Sequence, residues 1–341
     1  MVHLPPPFRS HVVPTHEAVR HNRTASPYSG DAFRVVAHQF GLPHEVLAYE
    51  RVEVAPLEPG NVLVRMLFSP INPSDLIPVT GAYRHRTRLP FVPGYEGVGI
   101  VIGAGRDIDP AMIGRRVLPL GSAGAWQTLK VVPAVWCVDV PSDINDQQAA
   151  LAYINPLTTR LLLQALSPQV GERIGITAGG SAIGRMLIRS LASIGAHPVA
   201  IVRSSTCRVA LSREPADIFL EHESLPKMAA GLDAVGGLMG ARLARNIQPG
   251  GKLIHYGLLS GEPLCSFSTQ SDVTVQLFRL RDWVHTVSRI ELASAMALVF
   301  DDIRAGRSTS SIAREFPLLA FREALTHVAM SGRSGKIMLR V

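Results

Sequence analysis

Cysteine is scarce in this chain: three residues, Cys137, Cys207 and Cys265, among 341. They are odd in number and far apart, and no CxxC pair occurs. A disulfide framework is therefore excluded, and a reducing compartment, the cytoplasm, is expected. Long apolar runs are missing too. No stretch reaches the roughly 18 residues that a membrane span needs, and the first residues lack the apolar stretch of a secretory signal. No membrane partner is expected. Charged residues make up 18% of the chain. They sum to +7, yet Lys and Arg are scattered and form no stripe of the kind that grips a phosphate backbone, so nucleic acid is not expected. A polyanionic small molecule is the simpler partner for the excess.

What the chain has in quantity is apolar residues, 47% of it, enough for a large core, in a length that suits two domains. Residues 1–31 are rich in Pro, His, Arg and Ser without a hydrophobic period and read as a flexible extension. The prolines there oppose the amphipathic helix of a transit peptide. Residues 32–150 read as short strands punctuated by glycine and proline: Val52–Val54, Val62–Phe68, Val98–Ile102, Arg116–Leu118 and Thr128–Val132. That spacing suits a compact β barrel. After Asp146 the texture changes. Gln147–Leu166 has helical spacing, with Pro156 as its breaker. Strands at Arg173–Ala178, Pro198–Val202, Leu232–Val235 and Lys252–Tyr256 then alternate with helical segments such as Ala182–Ile194. This is the pattern of a parallel sheet covered on both faces. Phe321–Met330 reads as a helix and Lys336–Val341 as a terminal strand.

The strongest chemical signal lies in Ile174-Gly-Ile-Thr-Ala-Gly-Gly-Ser-Ala-Ile-Gly184. A strand runs into a turn of small residues, and a helix opens at once. Gly179 fits the first glycine of a dinucleotide fingerprint and Gly184 the third, where helix and strand pack closely. Ser181 takes the central position. Gly179, Gly180, Ser181, Ala182, Ile183 and Gly184 would let a pyrophosphate reach free backbone N–H groups at the positive end of a helix. A tight strand-to-helix turn without a ligand is the competing reading. The next strand ends in Val202-Arg203-Ser204-Ser205. An acidic residue there would bind the ribose 2′-hydroxyl of NAD. Arg203 instead suits a 2′-phosphate, with Ser204 and Ser205 as further donors, so NADPH is expected. A solvated surface arginine is the alternative.

Several ordered strings carry a family likeness: Asn72-Pro-Ser-Asp75, Gly81-Ala-Tyr83, Pro90-Phe-Val-Pro-Gly-Tyr-Glu-Gly-Val-Gly-Ile-Val101, Gly124-Ala-Trp126, Asn155-Pro-Leu-Thr-Thr159, Asp233-Ala-Val-Gly-Gly237, Tyr256-Gly-Leu-Leu-Ser-Gly261 and Gly335-Lys-Ile-Met-Leu339. From about residue 32 onward the chain resembles the zinc-independent medium-chain dehydrogenase/reductases, most of all the 2-enoyl thioester reductases, with quinone oxidoreductases as near relatives. The resemblance implies an α/β protein. A GroES-like β-barrel catalytic domain (32–155, completed by 301–341) would be joined to a Rossmann doubly wound parallel sheet (156–300). It further implies a homodimer formed through edge strands, here Ser271–Phe278.

The same resemblance implies roles. Tyr83 matches the proton donor of enoyl thioester reduction, and packing of the cleft is its alternative. Asn72 would bond near the nicotinamide or substrate, or only form the turn before Pro73. Asn155, Thr159, Tyr256, Gly257, Phe278 and Leu280 would contact the cofactor. Lys336 would stand near phosphate or in solvent. Tyr95 and Trp283 would line the substrate pocket. Zinc-dependent relatives have Cys where Asn72 stands and His where Tyr95 stands. Neither replacement is a good zinc ligand, and the four-cysteine structural lobe is absent, so no metal is expected. Without a Lewis acid, reduction of an activated C=C bond is the more plausible reaction: hydride to the β-carbon, proton to the α-carbon. NADPH:quinone reduction and a non-catalytic NADPH sensor are the alternatives. Two departures from the pattern stand out. The chain between Asp217–Leu220 and Leu232–Val235 is too short for a full helix, so a trimmed cofactor domain is expected. Arg84, His85, Arg86 and Arg88 also make the segment after Tyr83 strongly basic, which suits an anionic or phosphopantetheine-bearing substrate or a solvated loop.

Overall fold

The computed structural model describes residues 31–265, 272–330 and 335–341. The expected extension thus lies outside the described residues up to its last member, Asp31. The chain begins with β1 (Ala32–Ala37), α1 (Pro43–Val46), β2 (Leu47–Val52), β3 (Asn61–Pro70), α2 (Pro73–Leu76), β4 (Val98–Ala104), β5 (Arg116–Pro119), β6 (Leu129–Pro133) and β7 (Cys137–Asp139). The strand expected at Val52–Val54 is therefore displaced. It ends at Val52, because its partner is β1, in register from Ala32 opposite Val52 to Ala37 opposite Leu47. Val62, Val64 and Met66 of the long β3 are buried. Their side of the strand faces a core that also takes in Val101, Val117, Trp126 and Leu339.

Next come α3 (Asp146–Ala150), α4 (Ile154–Leu166), β8 (Arg173–Ile176), α5 (Ala182–Ser193), β9 (His197–Val202), α6 (Ser205–Ala210), β10 (Asp217–Leu220), β11 (Met228–Asp233), α7 (Gly237–Arg245), β12 (Ile247–His255), β13 (Thr274–Leu277), α8 (Leu280–Thr286) and α9 (Arg289–Arg304). The helix expected over 147–166 breaks at 151–153, ahead of Pro156. The proline sits in the first turn of α4, where no intrahelical N–H is needed of it. No helix separates β10 from β11, as the short connection led us to expect. The chain closes with β14 (Ile312–Pro317), α10 (Phe321–Ala329) and β15 (Lys336–Arg340).

Two sheets organise the molecule. Six parallel strands run in the order β10-β9-β8-β11-β12-β13. The order reverses between β8 and β11, which makes a crevice at their C-terminal ends. The second sheet has seven strands, β14-β15-β3-β4-β5-β7 with β6 on β3. It draws its strands from both ends of the described chain. One core joins the two halves: Val98, Leu118 and Leu120 meet Leu157 and Leu161 of α4, Val284 of α8, and Met296 and Phe300 of α9. Because α9 runs unbroken through Phe300, a boundary between residues 300 and 301 falls inside a helix.

Candidate active site

The glycine turn sits at the switch point, between the end of β8 and the start of α5. Ala178 takes a left-handed φ of 50°, a strained choice for a residue with a Cβ. The two flanking glycines are required by space. A Cβ on Gly184 would stand 2.6 Å from the Gly179 oxygen, and one on Gly179 would stand 2.8 Å from the Ala200 Cβ. Gly180 faces more room, with Cys207 its nearest neighbour at 3.6 Å. Ser181, in the central position, is the N-cap of α5: its Oγ accepts the Gly184 N–H at 3.1 Å. A serine here supplies the acceptor that a glycine could not. The backbone N–H groups of Gly180, Ala182 and Ile183 have no acceptor among the described residues. Three unspent donors at the positive end of a helix fit an anion.

Beyond β9, Arg203 is exposed and makes no hydrogen bond or ion pair among the described residues. Ser204 caps α6 by accepting the Cys207 N–H at 3.3 Å; Ser205 is the exposed first residue of that helix. All three stand at the end of the strand next to the glycine turn, on its β10 side.

Among the described residues six buried side-chain polar atoms lack a partner, and two of them are hydroxyls of expected cofactor contacts. The hydroxyls of Thr159, on α4, and Tyr256, just past β12, have no partner. Burial raises the Tyr256 phenol well above its ordinary range, and Asp233 adds to the rise. A buried unpaired hydroxyl is costly in an empty protein and useful to a polar ligand. With the free amides, these orphans show that the residues present fit a dinucleotide. Asn155 lies in the first turn of α4. At Gly257 a Cβ would come within 2.7 Å of the Ala234 oxygen, so the backbone there packs too closely for a side chain. A hollow of about 610 Å³ lies at the opposite edge of the sheet, among Arg173, His197 and Asp217, residues of the strands' N-terminal ends.

Asn72 is 3% exposed. Its Nδ2 donates to Glu96 Oε1 at 2.8 Å, and its Oδ1 accepts from Lys336 Nζ. Lys336, expected near phosphate or in solvent, is buried and turned inward onto Asn72. A lysine with a buried ammonium is held where carboxylates and an amide oxygen offset its charge. Asp75, fully buried, accepts the Asn72 N–H at 2.7 Å and the Tyr95 N–H at 2.9 Å. Burial pushes the Asp75 carboxyl up to about 7 against the pull of those two amides. Burial also raises the Glu96 carboxyl, opposed by Lys336 and by the backbone of Ile154.

Tyr83 is half-buried in the turn after α2, with the Arg86 guanidinium 4.0 Å above its ring and His85 edge-on at 6.4 Å. Burial raises the Tyr95 phenol, Asp75 and Tyr83 add to the rise, and Arg86 and Arg281 oppose it. Tyr95 therefore shares one electrostatic neighbourhood with Tyr83, with Arg86 of the barrel and with Arg281 of α8. Arg84, Arg86, Arg88, Arg279 and Arg281 are all exposed and lack ion-pair partners among the described residues. Phe278, Leu280 and Trp283 are half-buried against the core that joins the two sheets. Among the described residues, no three His, Cys, Asp or Glu side chains are grouped to hold a metal ion.

Sequence reasoning missed Glu96, Asp75 and Arg281. A glutamate inside the apolar, glycine-rich run Pro93-Gly-Tyr-Glu-Gly-Val98 was the available signal, since an acid in such a run must be paired.

The Alcohol dehydrogenase GroES-like domain matches residues 58–142. The mitochondrial enoyl-[acyl-carrier-protein] reductase of Mus musculus is 30% identical over 332 residues, covering 90% of this chain and 89% of that one. A solved Bacillus thuringiensis structure assigned as an NADPH:quinone reductase is 32% identical, with a TM-score of 0.87, over 92% of this chain and 100% of its own. The mitochondrial 2-enoyl thioester reductase heterodimer of Candida tropicalis shares the fold, with a TM-score of 0.78 at 21% identity over 91% of this chain and 100% of its own.

Proposed function

This chain is a member of the medium-chain dehydrogenase/reductase superfamily, in the branch that holds the enoyl thioester reductases and quinone oxidoreductases, and from that premise we propose that it uses NADPH to reduce an activated C=C bond. The substrate class is a 2-enoyl thioester, an enone or a related α,β-unsaturated carbonyl. One observation carries the reading: the Arg86 guanidinium stands 4.0 Å from the centre of the Tyr83 ring, and the charges of Arg86 and Arg281 both bear on Tyr95. A phenol beside cations suits an enolate, which carries negative charge and needs a proton.

The NADPH would be held by the free amides of Gly180, Ala182 and Ile183, by the hydroxyls of Thr159 and Tyr256, and by Arg203 at the 2′-phosphate. Bound there, it supplies a hydride to the β-carbon. Tyr83 then gives its proton to the α-carbon, so that one hydride and one proton complete the reduction. Arg86 and Arg281 lower the energy of the anion between those events. Phe278, Leu280 and Trp283 shield the reacting atoms from water. Asn72 acts through the bonds it makes to Glu96 and Lys336. The exposed arginines at the mouth favour a substrate on an anionic carrier.

Residues 32–155 with 301–341 form the substrate half in this reading, and 156–300 the cofactor half. A second copy of the chain would pair at β13, whose other edge is unpaired among the described strands and whose Val275 and Leu277 are exposed; sedimentation tests that. No helix among the described residues is long and apolar enough to cross a membrane. The cytoplasm remains our expected compartment, and cell fractionation tests it against the mitochondrion named for the mouse relative.

The deciding experiment follows NADPH oxidation with crotonyl-CoA and with a benzoquinone. Higher kcat/KM for crotonyl-CoA is expected. Turnover of the quinone alone would favour the second reading, which rests on similarity to the B. thuringiensis protein. NADPH binding without turnover of either would leave a sensor.

A further inference from the structure

Helix α4 carries two of the cofactor candidates, Asn155 and Thr159, yet it has no cap of its own. The residue in its N-cap position, Tyr153, offers no side-chain bond. The acceptor comes from 58 residues upstream: Glu96 Oε2 takes the Ile154 N–H at 2.7 Å. A carboxylate at the positive end of a helix is a favourable cap. The other oxygen of Glu96 holds the Asn72 amide, and Asn72 in turn holds Lys336 of β15. Asp75 ties the Asn72 and Tyr95 backbones together, and these residues flank the segment that bears Tyr83.

We propose that Glu96, balanced by Lys336, is a positioning residue that couples the two halves: it caps α4 in trans and so fixes Thr159 and Asn155 relative to the Tyr83 segment. The inference rests on the reading of the site as an NADPH-dependent reductase. Glu96 receives a donor on each oxygen. A glutamine in its place keeps the shape but turns an NH₂ toward one of those donors, so either the cap or the Asn72 bond must fail. Removing Lys336 alone leaves a buried negative charge less compensated, and removing both charges spares that cost.

The test compares wild type, Glu96→Gln, Lys336→Met and the double variant. NADPH affinity is read by nucleotide fluorescence, and turnover is read with crotonyl-CoA. Glu96→Gln is expected to weaken NADPH binding by about fivefold and lower kcat by about tenfold while leaving the crotonyl-CoA KM within about twofold. The double variant is expected to lose less than the product of the two single losses. Lys336→Arg is expected to restore most of what Lys336→Met loses. A Glu96→Gln enzyme within about twofold of wild type in both affinity and kcat overturns the inference. Hydrogen exchange on the wild-type protein needs no variant. The Ile154 amide, in a first helical turn that is ordinarily open, is expected to exchange at least about a hundredfold more slowly than an unbonded amide. Unprotected exchange there overturns the proposal even if no variant folds. Wild type that turns over no electrophile defeats the reductase reading instead, while NADPH affinity and exchange still report on Glu96.

Discussion

Thr177 Oγ1 donates to Asp233 Oδ1 at 2.8 Å, linking the end of β8 to the end of β11 at the switch point. The same carboxylate accepts from His255 Nδ1 at 2.8 Å and from the backbone N–H groups of Val235 and Gly236. Burial by itself would raise this acid; the bonds from His255 and Thr177 outweigh it and hold the carboxyl below its ordinary value. Three strand ends are thereby locked beneath the glycine turn.

Asp233→Ala strips the acceptor from at least four donors. A loss of about 3–5 kcal/mol is expected, read as a lower urea midpoint. Since the folded carboxyl is the stronger acid, its contribution is present above the unfolded value of 3.8 and fades as pH falls through the folded one.

Thr159→Val removes the orphan hydroxyl and keeps the shape. The unliganded protein should melt at the same temperature or higher, because a buried group without a partner has been deleted. NADPH affinity should fall about fivefold, the equivalent of one net hydrogen bond. A lower melting temperature with unchanged affinity would show that Thr159 serves packing alone.

Arg203→Ala should cut kcat/KM for NADPH by about 10–100-fold through loss of a charge-assisted contact and leave NADH nearly untouched. Equal loss with both nucleotides would place Arg203 away from the 2′-phosphate.

Tyr83→Phe should slow crotonyl-CoA reduction by about tenfold or more with little change in NADPH affinity. Unchanged turnover would remove the phenol from the chemistry.

Lys130 gives a second pH handle. Its ammonium is buried and donates to the Pro119 and Ser122 carbonyls at 2.8 and 2.9 Å. Burial lowers it from 10.5 to about 7. Between those values the unfolded chain holds the extra proton, so stability should rise with pH from neutral toward 10, by at most about 1.4 kcal/mol per unit. Differential scanning fluorimetry across that range should find a flatter profile for Lys130→Met. An identical slope would remove Lys130 as the cause.

The parts legible in the sequence were the local ones. A strand, a small-residue turn and a helix opening at Ala182 follow one another directly, so Gly179, Ser181 and Gly184 announce their geometry. The Asn72–Lys336 contact joins residues 264 positions apart, and no periodicity encodes such a distance. Strand β14 was missed because only Phe316 in it is buried, which leaves no alternation to read. Helix α9 had a signal that went unused: Ser288 and Glu291 form a capping box, the spacing that marks a helix start.

Strand β15 lies between β14 and β3, and its first residue is Lys336. On the ribosome, the barrel strands from β3 to β7 emerge long before the strand that completes their sheet. The parallel sheet, local in the chain from β8 to β13, can assemble first. Asn72 can meet Glu96 before then, but its Oδ1 must wait for the Lys336 ammonium. A ribosome stalled before Lys336 would carry every strand of the parallel sheet but lack the strand that joins β14 to β3.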